Sequence, residues 1–169
     1  MASVIITGVT GLIGTALSKL LVLQGHSVVI LSRDPASHRR TSPSISYAAW
    51  NIDDQSINED AVSKAKYIIH LAGAGVADKR WTDKRKREIQ ESRIKSSDLL
   101  VKALTQIPNH VEVVISASAI GWYRESSVVQ SIETDPQDPG FLGETCRLWE
   151  KHIQQATALV KRLCILRSG

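Results

Sequence analysis

The sequence predicts an α/β protein in which helices are wound on both faces of a parallel sheet of about six strands. Three observations predict it. Short apolar runs rich in β-branched residues alternate along the chain with longer stretches of helical periodicity. The first of these strands, Val4 to Ile6, passes through a glycine turn straight into a helix. The 169 residues are 43% apolar, enough for one domain with a sizeable core.

Each element can be read in order. After Val4–Ile6 come Gly8, Gly11 and Gly14 at a spacing of three, and then the helical pattern Ile13, Ala16, Leu17, Leu20, Leu21. Gly25-His26 breaks that helix, and Ser27 to Leu31 forms the second strand. Pro35 to Ser44 is a polar loop, Ser46 to Trp50 a third strand, and Asn51 to Asp54 its exit. A short helix is expected around Asn58 to Ser63, and a fourth strand over Lys66 to Leu71 ending in Ala72-Gly73-Ala74-Gly75. A long helix runs from Asp83 to about Gln106, with Ile89, Ile94, Leu99, Leu100 and Leu104 facing inward, and Pro108 ends it. Val111 to Ile115 is a fifth strand leading into Ser116-Ala117-Ser118-Ala119. The polar stretch Gly121 to Gly140 reads as a long functional loop, Phe141 to Val160 as a helix and Arg162 to Arg167 as a sixth strand.

The glycine turn carries the first chemistry. Gly8 lets the chain turn sharply off the strand, Gly11 lets a pyrophosphate approach the backbone, and Gly14 lets the helix pack close to the sheet. The helix N-terminus then offers free N–H groups and a positive dipole end to phosphates. This is a dinucleotide site in a Rossmann-type sheet, the alternative being a strand-to-helix turn with no ligand. The residue at the end of the second strand meets the adenosine ribose. A carboxylate there suits the 2′-hydroxyl of NAD, and an arginine the 2′-phosphate of NADP. The chain has Ser32-Arg33 at that point, with Asp34 adjacent and Arg39 and Arg40 close behind, which favours NADP. A surface loop charge is the plainer reading of Arg33. His70, alone on an apolar strand, reads as structural.

Composition narrows the class. The net charge is +4 and much of the excess sits in Lys79, Arg80, Lys84, Arg85, Lys86 and Arg87. Acidic residues interleave downstream at Glu88 and Glu91 and no nucleic-acid motif accompanies the run, so it reads as a solvated helix face that helps attract an anionic cofactor. No apolar run approaches a membrane span, and Met-Ala-Ser leads directly into the first strand with no signal peptide expected. Cys146 and Cys164 form no metal-type spacing and read as reduced thiols, which points to the cytoplasm.

Several stretches together resemble the short-chain dehydrogenase/reductase superfamily, in its atypical or extended, nucleotide-sugar-epimerase-like branch. These are Ile5 to Gly14, Leu31-Ser32-Arg33, His70-Leu71-Ala72-Gly73, Arg80-Trp81-Thr82, Lys86, Glu88, Ile89, Ser92-Arg93-Ile94, Ser116 to Tyr123 and Trp149-Glu150. More narrowly the chain is similar to the epimerase family proteins, also labelled cell-division-inhibitor homologues. The resemblance implies that Gly8, Thr10, Gly11, Leu12, Ile13 and Gly14 hold the pyrophosphate, that Ser32 and Arg33 take the 2′-phosphate of NADP(H), and that Leu71, Ala72 and Gly73 line the adenosine and ribose side. It places Arg93, and more weakly Glu88, against the cofactor, a surface salt bridge between them being the alternative. It also leaves a homodimer through the helices open.

Two departures accompany the resemblance. The superfamily uses a Tyr-x-x-x-Lys pair with a nearby serine, the lysine lowering the tyrosine pKa for proton transfer. Here the matching helix begins Phe141-Leu142-Gly143-Glu144-Thr145-Cys146, with neither residue at that spacing. Ser118 matches the serine, and Tyr123 reads either as a substitute proton donor or as a loop aromatic packing over the cofactor. The second departure is that the chain stops at Gly169, where the family continues into a smaller lobe. Residues 1–169 are therefore expected to form an NAD(P)-binding domain without its C-terminal substrate-binding lobe. Three functions stay open. One is an NADP-dependent oxidoreductase or epimerase-like enzyme, with Ser118 holding the reacting oxygen of a sugar nucleotide or another small hydroxy or keto substrate. The second is a non-catalytic NADP(H)-binding sensor or regulatory module. The third is a fragment that binds the cofactor weakly or not at all.

Overall fold

A computed structural model describes residues 2–9, 11–38, 42–124 and 130–169. The described residues form one seven-stranded sheet with helices on both faces. The strands are β1 (Ser3–Thr7), β2 (Ser27–Ser32), β3 (Ile45–Asn51), β4 (Ser56–Ile57), β5 (Tyr67–His70), β6 (Val113–Ala119) and β7 (Arg162–Ser168). The helices are α1 (Leu12–Leu23), α2 (Glu59–Lys64), α3 (Asp83–Gln106) and α4 (Phe141–Ile153). The spatial order is β4-β3-β2-β1-β5-β6-β7, parallel throughout except for the β3–β4 pair. The chain winds outward from β1 to β3, then returns to place β5 on the other side of β1. That reversal opens a crevice at the carboxyl ends of β1 and β5, the place where open α/β sheets bind ligands.

The alternation of side chains along each strand divides the core in two. Val4, Ile6, Val28, Ile30 and Ile69 point to the face covered by α1 through Leu17 and Leu21. Ile5, Leu31, Ile68 and Val114 point to the opposite face, packed under Leu99, Leu100, Ala103 and Leu104 of α3, Ile153 of α4, and Ala61 and Val62 of α2. Helix starts follow local chemistry. The Asn58 side chain accepts from Ala61 N–H at 2.8 Å to cap α2, and Thr82 accepts from Arg85 N–H at 3.2 Å to cap α3. On β6 and β7 the face away from α3 carries Ile115, Ala117, Cys164 and Leu166, none of them fully buried, and no described helix covers it.

Two expectations need correction. The sheet has a seventh strand, the two-residue antiparallel β4, too short to show any period in sequence. It is made by a tight turn in which Asn51 Oδ1 accepts from Asp53 N–H, Asp54 Oδ1 accepts from Ser56 N–H, and Gln55 adopts φ +55°. The last helix ends at Ile153 rather than Val160 and tightens into a 3₁₀ turn over Gln154–Ala158. Within α3, Ile94 is only half-buried.

Candidate functional site

The glycine turn separates into positions that the fold demands and one that it does not. Gly8 has φ +73°, and a Cβ there would stand 2.6 Å from the Leu71 carbonyl oxygen on β5's exit. A Cβ on Gly14 would stand 2.7 Å from Val9 Cα. Gly11 has φ −82°, and a Cβ there would meet only the Gly8 oxygen, at an ordinary 3.6 Å. The protein leaves the space beside Gly11 open, as close approach of a ligand to the backbone requires. Gly11 N–H donates to Gly8 O at 3.3 Å, and among the described residues no side chain caps α1, so the N–H groups of Leu12 and Ile13 in its first turn are left for a ligand. Gly8→Ala is therefore expected to destabilise the chain by about 1–3 kcal/mol, whereas Gly11→Ala should change stability by less than about 0.5 kcal/mol. Paired denaturant titrations check this. Thr10 lies outside the described residues.

A groove of about 950 Å³ runs along the carboxyl edge of the sheet from this turn. Its walls include Gly8, Ser32, Arg33, Ala72, Gly73 and Glu88. Leu71 instead packs into the core on the α1 side, with its carbonyl against Gly8. At the β2 end, Ser32 Oγ accepts from Asp34 N–H at 3.2 Å and lies 2.9 Å from His38 Nε2. Arg33 is exposed beside it. Arg39 and Arg40 lie outside the described residues.

The opposite wall is the loop after β5, fastened to α3. Ser92 Oγ accepts from Ala74 N–H at 3.0 Å, and Arg93 Nη1 donates to Ala74 O at 3.0 Å. Arg85 Nη2 donates to Gly75 O at 2.5 Å. Arg93 stands directly behind Gly73, where a Cβ would come within 3.0 Å of its guanidinium carbon, and stacks on Trp149 at 4.9 Å. It thus backs the groove instead of lining it. Glu88 pairs with Arg85 at 2.8 Å, not with Arg93, and that hydrogen bond lowers the Glu88 pKa. Arg85 corrects the reading of the basic run as a solvated face: it is buried, one turn before Ile89 on the inward stripe of α3.

His70 anchors the same loop from below and is structural, as its apolar strand suggested. Thr7 Oγ1 accepts from the N–H groups of Leu71 and Ala72 at 3.1 and 3.2 Å. With both lone pairs used, its proton goes to His70 Nδ1 at 2.9 Å. This assigns the ring proton to Nε2, which faces the hydroxyls of Ser96 and Ser97 at 3.3 and 3.4 Å. Complete burial, with the Arg93 cation nearby, pushes the His70 pKa down to about 3.

Ser118 lies at the carboxyl end of β6, outside the groove walls and buried. Its hydroxyl donates to Glu150 Oε1 at 2.6 Å. Glu150 is gripped by two parallel bonds from Arg167, Nε to Oε1 at 2.8 Å and Nη2 to Oε2 at 2.9 Å. Arg167 also donates to the Tyr123 hydroxyl at 3.0 Å and lies 3.8 Å above the Trp122 ring. Ser118 and Tyr123 are thus joined through one ion pair. Neither Glu150 nor Arg167 stood out by spacing; the signal that links Arg167 to Ser118 is their cross-strand pairing in the β6–β7 register.

On α4, Phe141 packs edge-on against Trp81 at 5.2 Å, with the Lys86 ammonium 5.5 Å from its ring centre. Two residues one turn apart face the end of β6. Leu142 lies against Gly121, and the Cys146 thiol donates to Ala119 O at 3.7 Å. Burial raises the Cys146 pKa. A leucine and a protonated thiol cannot do the work of a tyrosine and a lysine.

Comparison with known proteins accords with this geometry. The pattern of the family described as NAD dependent epimerase/dehydratase matches residues 4–143. An epimerase family protein of Staphylococcus saprophyticus is 33% identical over 172 residues, covering 100% of this chain and 55% of that protein. The crystal structure of human epimerase family protein SDR39U1 (isoform 2) with NADPH superposes with a TM-score of 0.80 at 26% identity, over 99% of this chain and 53% of that one. A nucleoside-diphosphate sugar epimerase from Corynebacterium glutamicum gives 0.75 at 30% identity, over 99% and 34%. The chain spans about half the length of the curated relatives it matches. With a Rossmann-type sheet, a glycine turn opening on its crevice and a family match over most of its length, the chain belongs to the NAD dependent epimerase/dehydratase family.

Proposed function

We propose that the chain is the NADP(H)-binding domain of an epimerase-like oxidoreductase. The observation that carries this is the open backbone at Gly11 beneath the uncapped start of α1, facing a groove with Arg33 at its far end. The first-turn N–H groups of α1, flanked by Gly8, Leu12 and Ile13, would hold the pyrophosphate. Ser32 and Arg33 would take the 2′-phosphate, and Ala72 and Gly73 the ribose side, with Arg93 fixing that loop from behind. When bound, the cofactor supplies a nicotinamide ring that exchanges hydride with carbonyl and alcohol carbons. Of this chain's residues, Ser118 is the candidate to hold a reacting oxygen and Tyr123 to donate a proton. A sugar nucleotide is the proposed substrate class, supported by the printed description of the Corynebacterium glutamicum protein.

Calorimetric titration with NADPH and NADH tests the cofactor assignment. The wild-type chain is expected to prefer NADPH, and Arg33→Ala to lose about tenfold or more in NADPH affinity with NADH little changed, as for the loss of a hydrogen bond between charged groups. Equal wild-type affinities would overturn it.

A second reading is a binding module without catalysis. It is favoured by Leu142 and Cys146 at the end of β6 and by the commitment of the Ser118 proton to Glu150. It predicts NADPH binding with no turnover over a broad panel of carbonyl substrates, and steady NADPH oxidation would remove it.

A further inference from the structure

We infer that His38 is a positioning residue that turns the Ser32 hydroxyl toward an anion and so sets the preference for a 2′-phosphorylated cofactor. The inference rests on the proposed NADP(H) reading and adds a residue to it. Ser32 ends β2, and its Oγ already accepts one N–H, from Asp34 at 3.2 Å. A hydroxyl has a single proton to give. If that proton goes to His38 Nε2, 2.9 Å away, Ser32 has no donor left for a phosphate oxygen. If Nε2 carries the hydrogen and donates to Ser32, the hydroxyl proton is free to point into the groove. A phosphate dianion beside Ser32 favours the second arrangement, because it places an O–H donor against negative charge.

The imidazole is held for this task. Its ring stacks on Tyr47, centroids 4.6 Å apart and planes 8° from parallel. Tyr47 sits on β3 opposite Ile30 of β2, so the stacking partner is fixed by the sheet. The 3₁₀ turn Pro35–Ser37 folds the chain back to bring His38 over the end of β2, with His38 N–H donating to Pro35 O and Ser37 Oγ to Asp34 O. His38, Ser32, Arg33 and Tyr47 all line the groove. Lys19 adds a second cation to that wall, while Asp34 and Asp53 limit its positive charge. An oriented donor at Ser32 therefore adds to Arg33 in choosing between a 2′-phosphate and a 2′-hydroxyl.

The test is titration of NADPH and NADH, each on wild type, His38→Ala, His38→Gln, Arg33→Ala, Ser32→Ala and the Ser32→Ala/His38→Ala double variant. His38→Ala is expected to weaken NADPH about five- to tenfold while NADH stays within about twofold, the scale of one net hydrogen bond. The unchanged NADH affinity shows that the site is still folded. His38→Gln, which keeps an N–H donor for Ser32, should recover part of the loss. In the Ser32→Ala background the His38→Ala change should alter NADPH affinity less than about twofold, because it acts through Ser32. A wild-type NADPH-to-NADH ratio in His38→Ala would overturn this inference. If Arg33→Ala loses the preference in that same experiment, the NADP(H) reading survives; if the wild type has none, both fall.

Discussion

Replacing Glu150 with alanine is expected to destabilise the chain by about 3–5 kcal/mol, the scale for breaking a buried ion pair from one side. The Glu150 side chain is 5% exposed and that of Arg167 17%, so solvent screens the pair little. Without the carboxylate, a guanidinium is left between the Trp122 ring, the Tyr123 hydroxyl and the Glu133 carbonyl. A guanidinium stays protonated at any working pH even without that carboxylate, so deprotonation offers no relief. Ser118 also loses its acceptor. The check is guanidinium denaturation of wild type, Glu150→Ala and the double variant Glu150→Met/Arg167→Leu. The double variant should recover much of the loss, because an apolar pair of similar volume removes the unpaired charge. A Glu150→Ala loss below about 1 kcal/mol would mean that water reaches this pair and that it is worth no more than a surface bridge.

Acid should weaken the fold through His70. Folded, the imidazole stays neutral down to about pH 3. In the unfolded chain a histidine takes up its proton near pH 6.5. Between those values the unfolded state binds a proton that the folded state refuses, so stability falls as pH falls. The slope approaches about 1.4 kcal/mol per pH unit, or about 2–3 kcal/mol between pH 6.5 and 4.5. Above about pH 7.5 the ring contributes little pH dependence. His70→Asn should start from a lower stability at neutral pH, since it leaves Thr7, Ser96 and Ser97 imperfectly paired. Its loss between pH 6.5 and 4.5 should be smaller than wild type by that same 2–3 kcal/mol. Parallel slopes in urea titrations at the two pH values would rule His70 out as the source. The loop most affected is Leu71–Gly75, because Thr7 and His70 together hold its first two N–H groups.

Local signals made much of the architecture legible. β-Branched runs at Val4–Ile6 and Ser27–Leu31 became β1 and β2 because fully buried parallel strands need apolar side chains on both faces. The inward stripe of α3 was visible at Ile89, Leu99, Leu100 and Leu104 because a helix repeats its face every turn. The two-residue β4 was not, since pairing of that length depends on Asx turns and has no period to detect. Arg85 shows the limit of reading charge. Five of the six basic residues in its run are at least partly exposed, but Arg85 points inward, and its partners the Gly75 carbonyl and the Asp78 carboxylate lie on a loop that only folding brings near.

The candidate site divides in the same way. The glycine turn could be read because a strand, a turn and a helix start are contiguous in the chain. Contiguity also made the family recognisable, and the match over residues 4–143 bears that out. The motif also separated Gly8 and Gly14, which serve the turn and the packing, from Gly11, which leaves the backbone open. The tertiary structure adds the physical reason at Gly8: the exit of β5 passes so close that no side chain fits, while the space beside Gly11 stays clear. The grouping of Ser118 with Glu150, Arg167 and Tyr123 likewise exists only in three dimensions, because its members lie on β6, α4, β7 and the turn after β6. A sequence read alone determines local periodicity, turns and the chemistry of neighbours in the chain. Which distant groups share a proton or a charge is set by how strands pair and helices pack, and in this protein that is what joins Thr7 to His70 and Ser118 to Glu150.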